Sequence, residues 1–496
     1  MTITVTHTEA AAQPARGLLP LWVGAGVYVL FLVAGNRLLI DPDTLWQITV
    51  GQWIIDHRAV PTSDVYSFTM RGKPWISTQW LAQVMLAKSY AQFGWSGPVV
   101  LAASAIAATF ALLAKFLSRR LSDSTTLVFI AAALALTVPH LLARPHVLAM
   151  PAMVAWVGGL IAAADRREAP SFRLLPLIAL WANLHGGFVF GIMLVAAVAL
   201  DCVVSADASA RKTLVLRWAA FGVAALAAAC CTPYGWDSLL ASRKILELGS
   251  ALPLILEWKP ADFGSVGPFE ICLLLGFGLV LYRGVTLPPM RIVLLLGLLH
   301  MALSQGRAAE ILALVAPLIL AAPLARQIGG AEISHPAPPP RAPLLAGVAA
   351  LLVAGTIAYA SVHPFAPHMR GSPVAAVAEL KKLKVSRVLN DYDFGGFLIA
   401  SGVAPFIDGR TELYGEKFFV DHNAASGLME PENLFRLLDQ YRIEATLMRT
   451  QSAASKLLDH VDGWQKIYSD GIATIHLRKV GAVHTREPAV DATPKN

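Results

Sequence analysis

From residue 18 to residue 361 the chain keeps returning to uncharged apolar runs long enough to cross a bilayer. A helix in lipid must satisfy its backbone internally over about 20 residues, and this chain offers such runs again and again. They fall near 18–38, 96–118, 124–142, 146–164, 174–185, 187–205, 214–232, 266–283, 287–303, 308–326 and 343–361. The pattern predicts a polytopic α-helical membrane protein of about eleven spans. Only 15% of the residues are charged, against roughly 25% in an ordinary soluble domain.

Basic residues test the alternation. Arg119 with Arg120, Arg166 with Arg167, Arg211 with Lys212, Arg283, and Arg326 with Arg341 fall in alternate loops. Cytoplasmic loops collect Lys and Arg, so these loops are expected inside and the loop after the first span outside. The net charge of +7 then follows from topology. No Lys/Arg tract interleaved with aromatics points to nucleic acid. Residues 1–17 are expected to be a disordered cytoplasmic tail. A cleavable signal peptide is the competing reading, but the first apolar run is long for one and no small-residue cleavage site follows. The four cysteines show no metal-ligand spacing.

The membrane part is expected to cover 18–361. Within it, 39–95 reads as a large outer loop carrying two interfacial helices, near 44–57 and 77–93. Trp46, Trp53, Trp75, Trp80 and Trp95 suit the membrane–water boundary. The run at 174–185 is short and ends in Asn183-Leu184-His185-Gly186-Gly187, as a broken helix would. A Pro-rich linker at 327–342 precedes the last span. Residues 364–482 change character. The strand-like SRVLN, APFID, ATLMR and GIATIHL alternate with helical stretches, which predicts a soluble, extracytoplasmic α/β domain with a largely parallel sheet. Residues 483–496 read as a disordered tail.

Drawn this way, one side of the membrane becomes crowded with polar groups. It carries Asp41, Asp43 and Trp46, Arg144 and His146, Asn183 and His185, Tyr234, Glu257, and Gln305 with Arg307, while Glu310 lies just inside the tenth span. An ionisable group within a span costs at least about 2.5 kcal/mol and normally meets a partner or a wet cavity. Local explanations exist for each. Either aspartate can cap the helix that follows. Arg144 can sit among headgroups. Asn183 and His185 can link helices by hydrogen bonds, and Glu310 can pair with Arg307. Taken together, carboxylates and cations converge from at least five helix ends. A carboxylate can take a proton from an attacking sugar hydroxyl. Arginine forks can hold a phosphate leaving group. The set suits transfer of a sugar from a lipid-phosphate donor.

The first span followed by DPDTLWQITVGQWIIDHRAVPTSDVYSF, two amphipathic helices and many further spans resembles the C-type (GT-C) integral-membrane glycosyltransferases. It is similar to the bacterial branch related to the protein O-mannosyltransferase and aminoarabinose-transferase group. ARPHVLAM, LWANLHGGF, TPYG and FIDGRTELYG match runs in uncharacterised members. The resemblance implies a bacterial inner-membrane enzyme with a polyprenyl-phosphate sugar as donor substrate and an extracytoplasmic glycan, lipid or protein acceptor. It implies Asp43 as catalytic base, with Asp41 in reserve. Thr44 stands where many members carry glutamate, so a divalent Mg or Mn ion would need Asp41 as its second carboxylate. On this reading Arg144, Arg307, His146 and His185 serve the donor phosphate, and Trp46, Asn183, Tyr234, Glu257, Gln305 and Glu310 line the pocket. An inverting direct displacement is the simplest chemistry. In the C-terminal domain, Asp408, Arg410 and Glu412 follow a predicted strand, where a crevice for the acceptor can form. Two other classes stay open: a transporter or flippase for a lipid-linked or anionic solute, and a non-catalytic envelope assembly factor. A transporter would spread its polar groups through the depth of the bilayer.

Overall fold

The computed structural model describes residues 17–328, 340–367 and 372–479. It divides into two units. One comprises residues 1–62 and 76–368; the other joins the loop segment 63–75 to residues 369–496. The predicted tails at 1–17 (apart from Gly17) and 483–496 and most of the linker at 327–342 lie outside the described residues.

The first unit is helical throughout. Its helices are α1 (Leu19–Val33), α2 (Gly35–Leu38), α3 (Asp43–His57), α4 (Trp80–Phe93), α5 (Ser96–Leu117), α6 (Asp123–Thr137) and α7 (Pro145–Asp165). There follow α8 (Leu175–Leu184), α9 (Phe188–Val204), α10 (Ala208–Ala229), α11 (Asp237–Leu246), α12 (Pro268–Arg283), α13 (Pro289–Ser304), α14 (Ala308–Gln327) and α15 (Ala342–Val362). Several begin where the sequence dictates. Pro145, Pro268 and Pro289 each open a helix, the position at which a missing N–H costs nothing. Ser122 caps α6 by accepting the Thr125 N–H. Gly284 ends α12 in the left-handed region at φ 60°.

Among the described residues, six helices are long and apolar enough to cross a membrane. Helices occupy all eleven predicted places, but at the other five they are shorter than 18 residues. Helix α8 has ten residues, about 15 Å and half a bilayer core. Helix α7 is the hub, with 78% of its apolar window buried. It packs on α5, α8, α9 and α14, and Trp156 at its middle is fully enclosed. Helix α15 lies at the opposite extreme, with none of its window buried, as a lipid-facing helix would.

Helices α3 and α4 form at the two places where amphipathic helices were expected. They touch closely at Gly51, where an added Cβ would stand 2.0 Å from the Gln83 carbonyl oxygen. A buried polar chain joins them: Ser77 Oγ donates to Gln83 Oε1 (2.8 Å), and Gln83 Nε2 donates to Gln47 Oε1 (2.7 Å). These bonds offset the burial of the Gln83 amide between the two helices.

The second unit holds α16 (Val374–Lys382), α17 (Gly395–Ala400), α18 (Thr411–Gly427), α19 (Pro431–Gln440) and α20 (Ala453–Leu458). Its strands are β1 (Val388–Asn390), β2 (Ala445–Arg449), β3 (Trp464–Ser469) and β4 (Ala473–Arg478), in the order β1-β2-β4-β3. Only β1 and β2 run parallel; β4 is antiparallel to both β2 and β3. The sheet is therefore mixed, not largely parallel. The tight turn at Asp470-Gly471 explains this, since a turn that short can join only antiparallel strands. APFID is not a strand. The Asn390 side chain satisfies it instead, accepting from Phe406 N (2.7 Å) and donating to Ile407 O (2.8 Å). The 63–75 segment completes the work: Phe68 N donates to Pro405 O and Thr69 Oγ1 to Phe406 O.

Candidate functional site

The site is built where α1 and α2 end. Asp41 Oδ1 accepts the Asp43 N–H at 2.7 Å, turning the chain into α3. Thr44 Oγ1 donates to Ala143 O (3.2 Å), and Ala143 N donates to Leu38 O (2.8 Å). The turn before α7 is thereby sewn to the start of α3. Arg144, the residue before α7, extends into the first loop. Its Nη2 lies 2.6 Å from Asp41 Oδ2 and 2.6 Å from Asp43 Oδ2, and its Nη1 pairs with Glu257. The other oxygen of Glu257 meets Arg307 Nη1 at 3.0 Å. Arg307 N also donates to Glu257 O (3.1 Å), and Gly306 N to Lys259 O (2.8 Å). The network thus draws five charged groups from the first loop, the α7 start, the loop before α12 and the α14 start.

The electrostatics follow from crowding. Three carboxylates share two guanidinium groups. Burial pushes Asp43 up to about 7; Arg144 pulls it down, while Asp41 and Glu257 push it further up. Burial would also raise Glu257, but Arg144 and Arg307 outweigh that and hold it below the usual carboxylate range. Arg144 is moved the other way: burial disfavours its charge, yet Asp41, Asp43 and Glu257 keep it firmly protonated. Its Nε finds no acceptor.

Two histidines and a glutamate lie behind this network. His146 Nε2 faces the His140 carbonyl at 3.0 Å, which makes Nε2 the protonated nitrogen. Glu310 Oε2 stands 3.9 Å from the same nitrogen, beyond hydrogen-bond reach, and has no partner. Glu310 does not pair with Arg307, whose carboxylate partner is Glu257. His185 Nδ1 accepts the Gly187 N–H at 3.1 Å, and its ring is 6.1 Å from that of His146. That leaves the His185 Nε2–H to donate.

Other expected pocket residues do different work. Asn183 is a joint: its Oδ1 accepts from Trp80 Nε1 (2.8 Å), and its Nδ2 donates to Ala179 O and Cys231 O. Tyr234 donates to Pro61 O and accepts from Ser77 N, clasping the two points where the first loop leaves and rejoins its own unit. Trp46 is buried with Nε1 unpartnered. Gln305 closes α13 through its backbone, donating to Met301 O. A cavity of about 530 Å³ opens at the far end of α3, between Ile54, Ile55, Arg58, Trp80, Val84 and Pro233, and none of the five charged groups lines it.

The expected acceptor cluster in the second unit is a correction. Asp408 and Arg410 are completely buried, not aligned on a crevice. Arg410 binds Asp408 through Nε (2.7 Å) and Nη2 (2.6 Å), and Asp64 through Nη1 (2.6 Å). Tyr414 donates to Asp408, and Glu412 accepts from Trp75 Nε1. The guanidinium also stacks between the Tyr66 and Trp75 rings, at 5.2 and 4.8 Å. The reason is Asp64, which no local sequence pattern ties to Arg410. It comes from the first loop, far along the chain, and turns a surface-like DGR into a closed ion cluster.

The expected Mg or Mn ion has a poor donor set here. Asp41 and Asp43 both face Arg144, and among the described residues no group of three or more His, Cys, Asp or Glu side chains is placed to hold a metal.

No family model and no curated protein matches the chain in sequence. Solved structures do match. The apo Archaeoglobus fulgidus oligosaccharyltransferase aligns at a TM-score of 0.50 and 10% identity, covering 96% of this chain and 76% of that one. ArnT from Cupriavidus metallidurans, solved with undecaprenyl phosphate, aligns at 0.48 and 13%, over 93% and 98%. At such identities the likeness speaks for the fold alone. The architecture of this chain, a polytopic helical membrane part with a small C-terminal sheet domain, shares its fold with the apo Archaeoglobus fulgidus oligosaccharyltransferase.

Proposed function

We propose that this protein transfers a sugar from a polyprenyl-phosphate-linked donor to an extracytoplasmic acceptor. The observation that carries the reading is the network in which Asp41 and Asp43 meet Arg144, and Glu257 ties Arg144 to Arg307. A carboxylate poised near neutrality and two guanidinium groups are the parts that a displacement at a sugar phosphate needs.

In this mechanism Arg144 and Arg307 take the donor's phosphate oxygens. The acceptor hydroxyl attacks the anomeric carbon while its proton passes to Asp43. The bond from that carbon to the phosphate oxygen breaks, and the carrier leaves as polyprenyl phosphate, its charge held by the arginines. Asp41 keeps Asp43 in position through the Asp43 N–H. His185 offers its Nε2–H to a sugar or phosphate oxygen. No step requires a metal. Removing the base should cost about 10²–10⁴-fold in rate. Purified Asp43→Asn, assayed with a polyprenyl-phosphate sugar, is expected to lose transfer while melting close to wild type. Undiminished transfer would remove Asp43 as base.

A further inference from the structure

Glu257 occupies an unusual place in this network. Each of its two oxygens meets a different arginine: Arg144 through Nη1, and Arg307 through Nη1 at 3.0 Å. A phosphate presents oxygens in the same bridging manner, and both anions take charge-assisted bonds from guanidinium. We propose that Glu257 is a resident stand-in for the donor's phosphate, holding Arg144 and Arg307 together in the resting site and swinging away when the phosphate arrives. This rests on the reading above, in which those two arginines bind the donor.

Three features support an exchange over a fixed clamp. First, the Glu257 backbone is anchored independently of its side chain. Arg307 N donates to Glu257 O, Gly306 N to Lys259 O and Ala261 N to Leu303 O, at 2.8–3.1 Å. The carboxylate can leave without its loop unfolding. Second, the side chain keeps a route to solvent, at 28% exposure, while Asp41 on the same cluster has 9%. Third, replacing one carboxylate with a phosphate, a monoanion in the donor's diester and at least a monoanion in a prenyl phosphate, leaves no less negative charge around Arg144. The swap therefore avoids stripping a partner from a buried cation, the step that costs several kcal/mol. Burial works against the charge of Glu257, but the two arginines keep it ionised, so the contest is between two anions.

The proposal fixes the sign of an effect that a structural clamp would reverse. Full-length protein in detergent is titrated calorimetrically with farnesyl phosphate, and with farnesol as the uncharged control. Glu257→Gln is expected to bind farnesyl phosphate about ten-fold more tightly than wild type, with farnesol unchanged. Glu257→Asp, too short to span both arginines, is expected to tighten binding less. Arg307→Gln is expected to weaken binding about ten-fold. Should Glu257→Gln and Glu257→Asp bind equally to wild type or more weakly while Arg307→Gln weakens, the exchange is overturned and the phosphate site stands. Should Arg307→Gln and Arg144→Gln leave binding unchanged, the phosphate site falls, and the exchange with it.

Discussion

Helix α7 carries an ion cluster at each end, and the two are built for different ends. At its start, Arg144 meets Asp41, Asp43 and Glu257. At its finish, about 31 Å away by helix rise, Asp165 meets Arg291, which also binds Asp201 (3.1 Å) and Ile319 O (2.9 Å). The second cluster is sealed at its centre: side-chain exposure is 5% for Arg291, 4% for Asp201 and 10% for Asp165, and only Arg120 at its rim, 3.7 Å from Asp165, reaches 28%. The first is ajar, with Asp43 at 26%, Glu257 at 28% and Arg307 at 24%. The sealed cluster joins three helices and a fourth helix's carbonyl, which is how a bundle is held in register. The ajar one stands mostly on loops and keeps donors that a ligand can reach. An ion cluster in a membrane protein is therefore read by its access and its supports before its charges.

The widest test of this contrast sets activity against stability. Asp43→Asn is expected to cut transfer by about 10²–10⁴-fold with little change in thermal unfolding. Arg291→Met should do the opposite. It leaves Asp201 buried without its arginine and Asp165 with only Arg120, 3.7 Å away, at about 3–5 kcal/mol, and is read as a lower melting temperature and poor yield. A stable, inactive Arg291→Met would break the comparison. Arg410→Leu sharpens it from the second unit, where Asp64 and Asp408 are equally sealed. The same cost is expected, with the 63–75 segment becoming cleavable in limited proteolysis.

The pH dependence is a smaller effect with a definite sign. Asp43 is lifted to about 7, and the proposed base can accept a proton only when ionised. Transfer should therefore rise by roughly ten-fold between pH 6 and pH 8, half-maximal near 7. A flat profile under conditions where chemistry limits the rate would assign the proton to another group. Least of all, Asn183→Ala removes a helix joint and should cost about 1–2 kcal/mol of stability with the pH profile unmoved.

Much of this was legible in the chain because membrane helices announce themselves one at a time. Apolar length placed helices at all eleven positions, and the abrupt change after Val362 marked the sheet domain. What escaped were facts about pairs. Asp201 sits in LALDCVV and Arg291 in PPMRIVLLL, each a charge inside an apolar run and each a signal that a partner must exist; no spacing says that they meet. Asp64 looked like part of a polar loop, and only the fold brings it to Arg410. APFID alternates like a strand, yet the Asn390 amide and the 63–75 segment satisfy its backbone in place of a ladder.

The most direct measurement is photo-crosslinking with a prenyl phosphate that carries a diazirine beside the phosphate, followed by peptide mapping. Labelling of the segments around Arg144 and Arg307, reduced by Arg144→Gln, is the predicted result. Labelling that gathers instead around Asp165 and Arg291, or that ignores Arg144→Gln, would contradict the assignment of the ajar cluster as the place where the lipid phosphate reacts.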